Sequence, residues 1–334
     1  MNLTDISDRK QLWNQEFYVR FLPEIDPFRE NQYFRPLDKA YNGDSTFWNM
    51  PSPEPDLDQN FWEKVHAFLD DERIRELAVS LAKNICLWEP DGNRLMFAAI
   101  LRAGVPVADW LCRLLPGAAA AAISLFVGLG IDQAALRLIR KNYPERRLVF
   151  VDGWTGRGGV AREIAKIGAG PLAVLIDPWG WADFSGTQED IFCPAACFTG
   201  AATMGFSRTF YADSQSFFAA YLFPQRYCKH DLVKAWQKNC PSPYSVNTPP
   251  RQKPRQEKCF FMQSGLRLHS NEVCRAMINA APETLYFFHD AVYVKEHYPL
   301  LLELAERRKV KIIYNVRHLL DYKAYSACEL RVKK

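Results

Sequence analysis

From Arg94 onward the chain alternates short β-rich runs with amphipathic helical ones, and no other feature limits its fold as much. Parallel strands cannot be joined by tight turns; they need crossovers, usually helices, so this alternation predicts βαβ units around a mainly parallel sheet. The pattern places strands at 95–101, 123–127, 148–151 and 172–176 and helices at 107–115, 132–142 and 159–167. In an open sheet of this class ligands bind beyond the C-terminal strand ends, so the loops there carry the functional information.

At 334 residues the chain exceeds the size at which one core usually stops growing, and two domains are expected. Five prolines within 240–255 deny that stretch a helix or a central strand and mark it as a linker. A second proline-dense stretch, 21–55, mixes prolines with aromatics and reads as an arm wrapped on the main domain; a helix is expected over 61–87. The resulting division is an arm and helix at 1–90, the α/β domain at 91–239, the linker at 240–255 and a smaller α/β domain at 256–334. In that last unit strands are expected at 259–262, 284–289 and 310–315 and helices at 270–280 and 297–308, with Ser270 as a helix cap.

The net charge of +4 hides an asymmetry: from Arg251 onward there are 16 Lys and Arg against 9 Asp and Glu. Such an excess suits a polyanionic partner or a solvated basic face. The longest apolar stretch, 118–129, falls short of the roughly 20 residues a membrane helix needs, and the first residues carry no basic-then-apolar signal, so no membrane association and a cytoplasmic location are expected. Nine cysteines, an odd number, argue for reduced thiols rather than a disulfide framework.

Two loops stand out. Leu101-Arg102-Ala103-Gly104-Val105-Pro106 follows the first strand, where small residues let backbone amides approach an anion and Arg102 adds charge; an ordinary tight βα turn is the plain alternative. Asp152-Gly153-Trp154-Thr155-Gly156-Arg157-Gly158-Gly159 follows the third strand and opens a helix, the arrangement of a phosphate cradle. Asp152 is positioned to meet sugar hydroxyls or a hydrated metal carried by a polyphosphate. Neither the Walker A pattern nor the dinucleotide fingerprint is present.

These segments resemble the type I phosphoribosyltransferases, and most closely those of bacterial tellurite-resistance and stress operons, a family sometimes labelled StiP-like cysteine protease. The matching stretches include Gly130-Ile131-Asp132, Phe150-Val151-Asp152-Gly153-Trp154-Thr155-Gly156, Asp177-Pro178, Gly186-Thr187, Glu189-Asp190 and Ser207-Arg208-Thr209. The resemblance implies transfer of phosphoribose from Mg²⁺-bound phosphoribosyl pyrophosphate to a planar, nucleobase-like acceptor. It assigns catalysis to Asp152 and Arg102, with Asp152 meeting Mg²⁺ through the substrate. It assigns phosphate binding to Ala103, Gly104, Gly153, Thr155, Gly156, Arg157, Gly158 and Gly159. The chain departs from the family at Val127 and Leu129, where arginines are usual, and at Ala195, where a serine is usual.

Acceptor contacts are expected from Asp177, Trp179, Trp181 and Asp183, against the plainer reading that the tryptophans pack under the arm. The C-terminal unit resembles a pelota-type RNA-binding domain, with Arg307, Arg308, Lys309 and Lys311 as its RNA-contacting edge. A homodimer is the common state of related folds. Two rivals stand beside the transferase: a non-catalytic nucleotide- or RNA-binding regulator, and a cysteine hydrolase using Cys197, which has no histidine near it in sequence.

Overall fold

A computed structural model describes residues 12–37, 44–212, 217–242 and 265–331. Most of the expected linker and the expected strand at 259–262 lie outside the described residues. The chain is mixed α/β, built on a six-stranded sheet in which every neighbouring pair is parallel.

Strands β1 (Glu16–Phe17) and β2 (Arg20–Glu24) open the described chain, followed by helices α1 (Gln59–Ala67) and α2 (Glu72–Trp88). The αβ alternation then runs β3 (Leu95–Ile100), α3 (Gly104–Leu114), β4 (Ala119–Ile123), a small hairpin of β5 (Leu125–Phe126) and β6 (Gly130–Ile131), α4 (Gln133–Asn142), β7 (Arg147–Trp154), α5 (Gly159–Ile167), β8 (Leu172–Ile176) and β9 (Phe184–Thr187). The sheet order is β1-β4-β3-β7-β8-β9, so the central strands are β3 and β7, whose registers pair Phe97 with Val149 and Ala99 with Val151. Both faces are covered, as parallel sheets require, and β3 and β8 are accordingly apolar and buried along their whole length.

The helix expected over 61–87 and the strand expected over 123–127 differ from expectation for identifiable reasons. The single helix expected over 61–87 is two, because Asp71 leaves the helical path and its carboxylate accepts the Arg73 amide at 2.9 Å, capping α2. The alanine run Ala119–Ala122, unmarked by β propensity, is a strand because it is clamped between β3 and β1 in a fully parallel register. Tertiary pairing overrides the intrinsic preference.

The chain continues through α6 (Gly200–Thr203), β10 (Ala219–Leu222), which pairs with β2, and α7 (His230–Lys238). The C-terminal unit contains β11 (Leu266–Leu268), α8 (Ser270–Asn279), β12 (Pro282–Phe287), α9 (Ala291–His297), α10 (Pro299–Arg307), β13 (Lys311–Ile313) and β14 (Ser326–Leu330), with sheet order β11-β14-β12-β13. The helix expected over 297–308 begins at Pro299, which suits a first helical position, and a separate helix precedes it.

This unit is joined to the large sheet by buried polar contacts. Asp190 accepts the Ser270 amide at 2.8 Å and the Tyr325 amide at 2.7 Å, while Asn271 accepts the Cys193 amide at 2.8 Å and donates to the Ile191 carbonyl at 2.8 Å. Ser270 is therefore not the cap of α8; its own amide is held by a carboxylate from the other unit. No helix among the described residues is long and apolar enough to cross a membrane.

Candidate functional site

A cavity of about 610 Å³ opens at the C-terminal ends of β3 and β7, where the topology predicts a ligand site. Its walls come from the arm, the β3–α3 turn, the β5–β6 hairpin, the β7–α5 loop, the segment 195–208 and the C-terminal unit, chiefly helix α8. Of the residues singled out in the sequence, Arg102, Ala103, Asp152, Thr155, Gly156, Arg157, Gly158 and Gly159 line it. Gly104 and Gly153 are buried beside it; a Cβ on Gly104 would lie 2.1 Å from the Val151 carbonyl oxygen, so only glycine lets α3 start this close to β7. Gly158 has φ of +74°, and a Cβ there would drive into the Trp181 ring at 2.5 Å.

Arg102 is not a free charge awaiting a ligand. Its Nη1 donates to Glu54 Oε1 at 2.7 Å, and the two side chains are only 7% and 1% exposed. Glu54 also accepts the Gly200 amide at 2.8 Å, so a residue of the proline-rich arm anchors the β3–α3 turn to α6. Thr155 is likewise engaged: its hydroxyl donates to Asp177 Oδ1 at 2.5 Å.

Asp152 ends on the cavity wall with its carboxylate accepting the Gly153 amide at 2.8 Å. Burial pushes its pKa up to about 7, with the charge of Glu272 acting in the same direction and Arg275 against it. Glu272 belongs to α8 and accepts the Trp154 indole N–H at 2.9 Å. The two acids thus come from different units, and the pairing is invisible in the sequence.

The cavity also holds Arg35, Arg208 and Arg275. Arg275 donates to the Ala196 and Phe198 carbonyls at 3.1 and 2.7 Å, and burial followed by the charge of Arg102 lowers its pKa to about 10. Arg208 is held well below the usual guanidinium range by burial and by the charges of Arg35, Arg102 and Arg275.

The acceptor residues expected from the sequence do not line this cavity. Asp177 is fully buried and accepts the amides of Trp181 and Ala182, both at 2.9 Å, as a staple of its own turn. Trp179 packs against the C-terminal unit rather than under the arm, donating to the Tyr322 carbonyl at 2.8 Å. Trp181 lies behind Gly158, and Asp183 accepts the Leu172 amide at 2.9 Å. The cationic run of the C-terminal unit is also committed in part. Arg307 pairs with Asp58 and Glu303 at 2.9 and 2.7 Å, and Arg308 donates to the carbonyls of Ala280 and Ile278 at 3.1 and 3.0 Å. Lys311 is exposed on β13 at the sheet edge, and Lys309 holds a left-handed turn just before it.

Cys193 and Cys197 lie one layer behind the cavity. Ala195 and Phe198 line it, while the Cys197 sulfur is fully buried 3.6 Å from that of Cys274. Burial pushes the Cys193 thiol up to about 12 and the Cys197 thiol well above the ordinary thiol range, with Cys274 adding to the second effect. Neither thiol has a histidine partner among the described residues. No group of three or more His, Cys, Asp or Glu side chains among those residues is placed to hold a metal ion.

A family described as "Tellurite-like stress resistance cysteine protease StiP" matches residues 39–238. The chain belongs to this family. Over 114 residues it is 32% identical to "Cysteine protease StiP" of Acinetobacter baylyi (strain ATCC 33305 / BD413 / ADP1), a match covering 30% of this chain and 30% of that protein. The chain thus spans well under two thirds of the length of the curated relative it matches.

These names overturn the phosphoribosyltransferase identification. StiP is described as a cysteine protease, a hydrolase, so glycosyl transfer, phosphoribosyl pyrophosphate and a nucleobase-like acceptor are corrected together, and the RNA partner expected from the pelota-type likeness and the homodimer expected from related folds find no support in these matches. The Mg²⁺ expectation is tied to that substrate. The stress-resistance context fits the StiP description.

Proposed function

We propose that this chain is a stress-resistance cysteine protease of the StiP type, with the inter-unit cavity as its substrate cleft. The observation that carries the reading is the family match over residues 39–238, which contains the cavity-lining turns after β3 and β7 and the cysteine-bearing wall at 193–198. In this reading the nucleophile is Cys197, the sulfur flanked on both sides by lining residues Ala195 and Phe198. Thiol chemistry needs the thiolate. A fully buried sulfur with a raised pKa does not supply it, so the reading requires the 193–198 wall to open before turnover. The free cysteines among the described residues support a reducing, cytoplasmic setting.

The test is hydrolysis of a fluorogenic peptide library by the full chain, its Cys197→Ser variant and its Cys274→Ser variant. Activity lost in the first and kept in the second supports Cys197 as nucleophile. Activity kept in both removes it.

One observation favours a second hydrolytic reading. Asp152 lines the cavity with a pKa near 7, suited to general acid–base work at neutral pH, and no described cysteine lines the cavity beside it. Here Asp152 activates water directly. An Asp152→Asn variant that keeps full hydrolysis eliminates this reading.

A further inference from the structure

Two arginines on the cavity wall, Arg35 and Arg208, form no ion pair among the described residues, and the charge of Glu272 only partly offsets the burial of Arg208 and its arginine neighbours. Arg35 is only 8% exposed, and its Nη1 has no hydrogen-bond partner among the described residues. Its guanidinium lies 3.8 Å from the centre of the Phe47 ring. Arg208 sits over Trp48 and Phe126, at 5.3 and 5.6 Å from their ring centres. Those rings form one shelf: Phe47 meets Trp48 edge-on at 4.7 Å, and Trp48 stacks on Phe126 at 4.6 Å.

An aromatic face attracts a cation but accepts no conventional hydrogen bond, so the shelf positions two planar guanidinium groups on the cavity wall without supplying an oxygen acceptor for their N–H groups. The nearby cations that do have partners are satisfied elsewhere, Arg102 by Glu54 and Arg275 by two backbone carbonyls. The two acids that line the same cavity are engaged elsewhere, Glu272 by the Trp154 indole and Asp152 by the Gly153 amide. Burying like charges together without a counter-ion is costly in any folded state. A site that tolerates the cost is one built for an anion that arrives from outside.

We infer that Arg35 and Arg208, racked on Phe47, Trp48 and Phe126, form an oxyanion subsite that takes an acidic group of the ligand in this cavity. The inference rests on the reading of this cavity as the substrate cleft, and it adds the substrate's charge. The shared chemistry is a group with two or more anionic oxygens matched to guanidinium forks. A carboxylate side chain of an acidic peptide and a phosphoryl group both present it.

The experiment is isothermal titration of the full chain with inorganic phosphate and, separately, with a triglutamate peptide, repeated for Arg208→Gln and Arg35→Gln. Saturable binding of either probe, weakened about tenfold or more in both variants, is expected, since each change removes a charge-assisted contact. The probe that binds identifies the source of the oxyanion. Absence of saturable binding by both probes, or binding unchanged in both variants, overturns the inference.

A thermal unfolding series without ligand separates the roles. An arginine kept for an incoming anion leaves the midpoint unchanged or raises it when replaced by glutamine, because like-charge repulsion is relieved. A drop of the midpoint in both variants assigns the arginines to scaffolding and also overturns the inference. Binding is read directly, so failure of peptide hydrolysis leaves this result standing, and loss of anion binding leaves the nucleophile question standing.

Discussion

The sulfur atoms of Cys197 and Cys274 lie 3.6 Å apart although one belongs to the large α/β unit and the other to helix α8 of the C-terminal unit. Both side chains are buried, and the segment that carries each also lines the cavity, through Ala195 and Phe198 on one side and Arg275 and Ala276 on the other. The interface between the units is therefore also the back wall of the site.

Alkylation kinetics follow from that placement. A buried thiol with a raised pKa has little thiolate at neutral pH, so Cys193 and Cys197 are expected to react with iodoacetamide far more slowly in the native protein than in urea, while half-buried Cys86 labels readily. Mass spectrometry of labelled peptides over time measures this. Rapid native labelling of Cys197 would reveal an opening of the 193–198 wall, which is the motion the protease reading requires.

Asp152 gives the fold a distinct dependence on pH. Its folded-state pKa of about 7 lies above the ordinary carboxylate value of about 4, so between those values the folded state binds more protons than the unfolded one. Stability contributed by this group therefore falls as pH rises from about 4 to about 7 and stays lost above. Asp152→Asn, which cannot ionise, is expected to unfold at a higher temperature than the wild type at pH 8 and at a similar one near pH 4.5. Scanning fluorimetry across that range checks it, and parallel curves would show that the carboxylate does not titrate there.

Much of the scaffold is legible in the sequence because local signals and tertiary demands agree. Apolar runs such as Leu172–Ile176 and the capped amphipathic helix after Asp132 need no long-range information. The alanine strand Ala119–Ile123 is illegible since alanine carries no β preference and the strand exists only through its neighbours. The glycine-rich turn after β7 is visible as a candidate site, yet its acidic and basic partners are not. Glu54, Glu272 and Arg275 come from remote segments with no motif around them, and the neutralisation of Arg102 by Glu54 turns an expected ligand-binding charge into part of the frame. Trp179 and Trp181 illustrate the converse, conspicuous aromatics at a strand end that are used for packing.

The Arg102–Glu54 pair makes a prediction about stability. Both side chains are almost completely buried, and Glu54 additionally holds the Gly200 amide. Removing one partner leaves a buried charge unmatched, which typically costs about 3–5 kcal/mol. Glu54→Ala is expected to lose an amount of that order in urea denaturation, and adding Arg102→Met is expected to recover a substantial part. A double variant as unstable as the single one would show that the Gly200 contact, not the ion pair, carries the effect.

Asp190 links the units through one buried carboxylate that caps α8 at Ser270 and holds the Tyr325 amide next to β14. Asp190→Ala strands both amides in the interface, where an unsatisfied buried donor costs about 1–3 kcal/mol each. The loss should be local before it is global, so hydrogen exchange in residues 265–331 is expected to accelerate while β3 and β7, at the centre of the large sheet, stay protected. Because α8 supplies Glu272 and Arg275 to the cavity, the protease reading proposed above predicts weaker peptide hydrolysis in the same variant even though every residue of the β3 and β7 loops is intact. Unchanged exchange in the C-terminal unit would mean that the surrounding apolar contacts hold the two units together without Asp190.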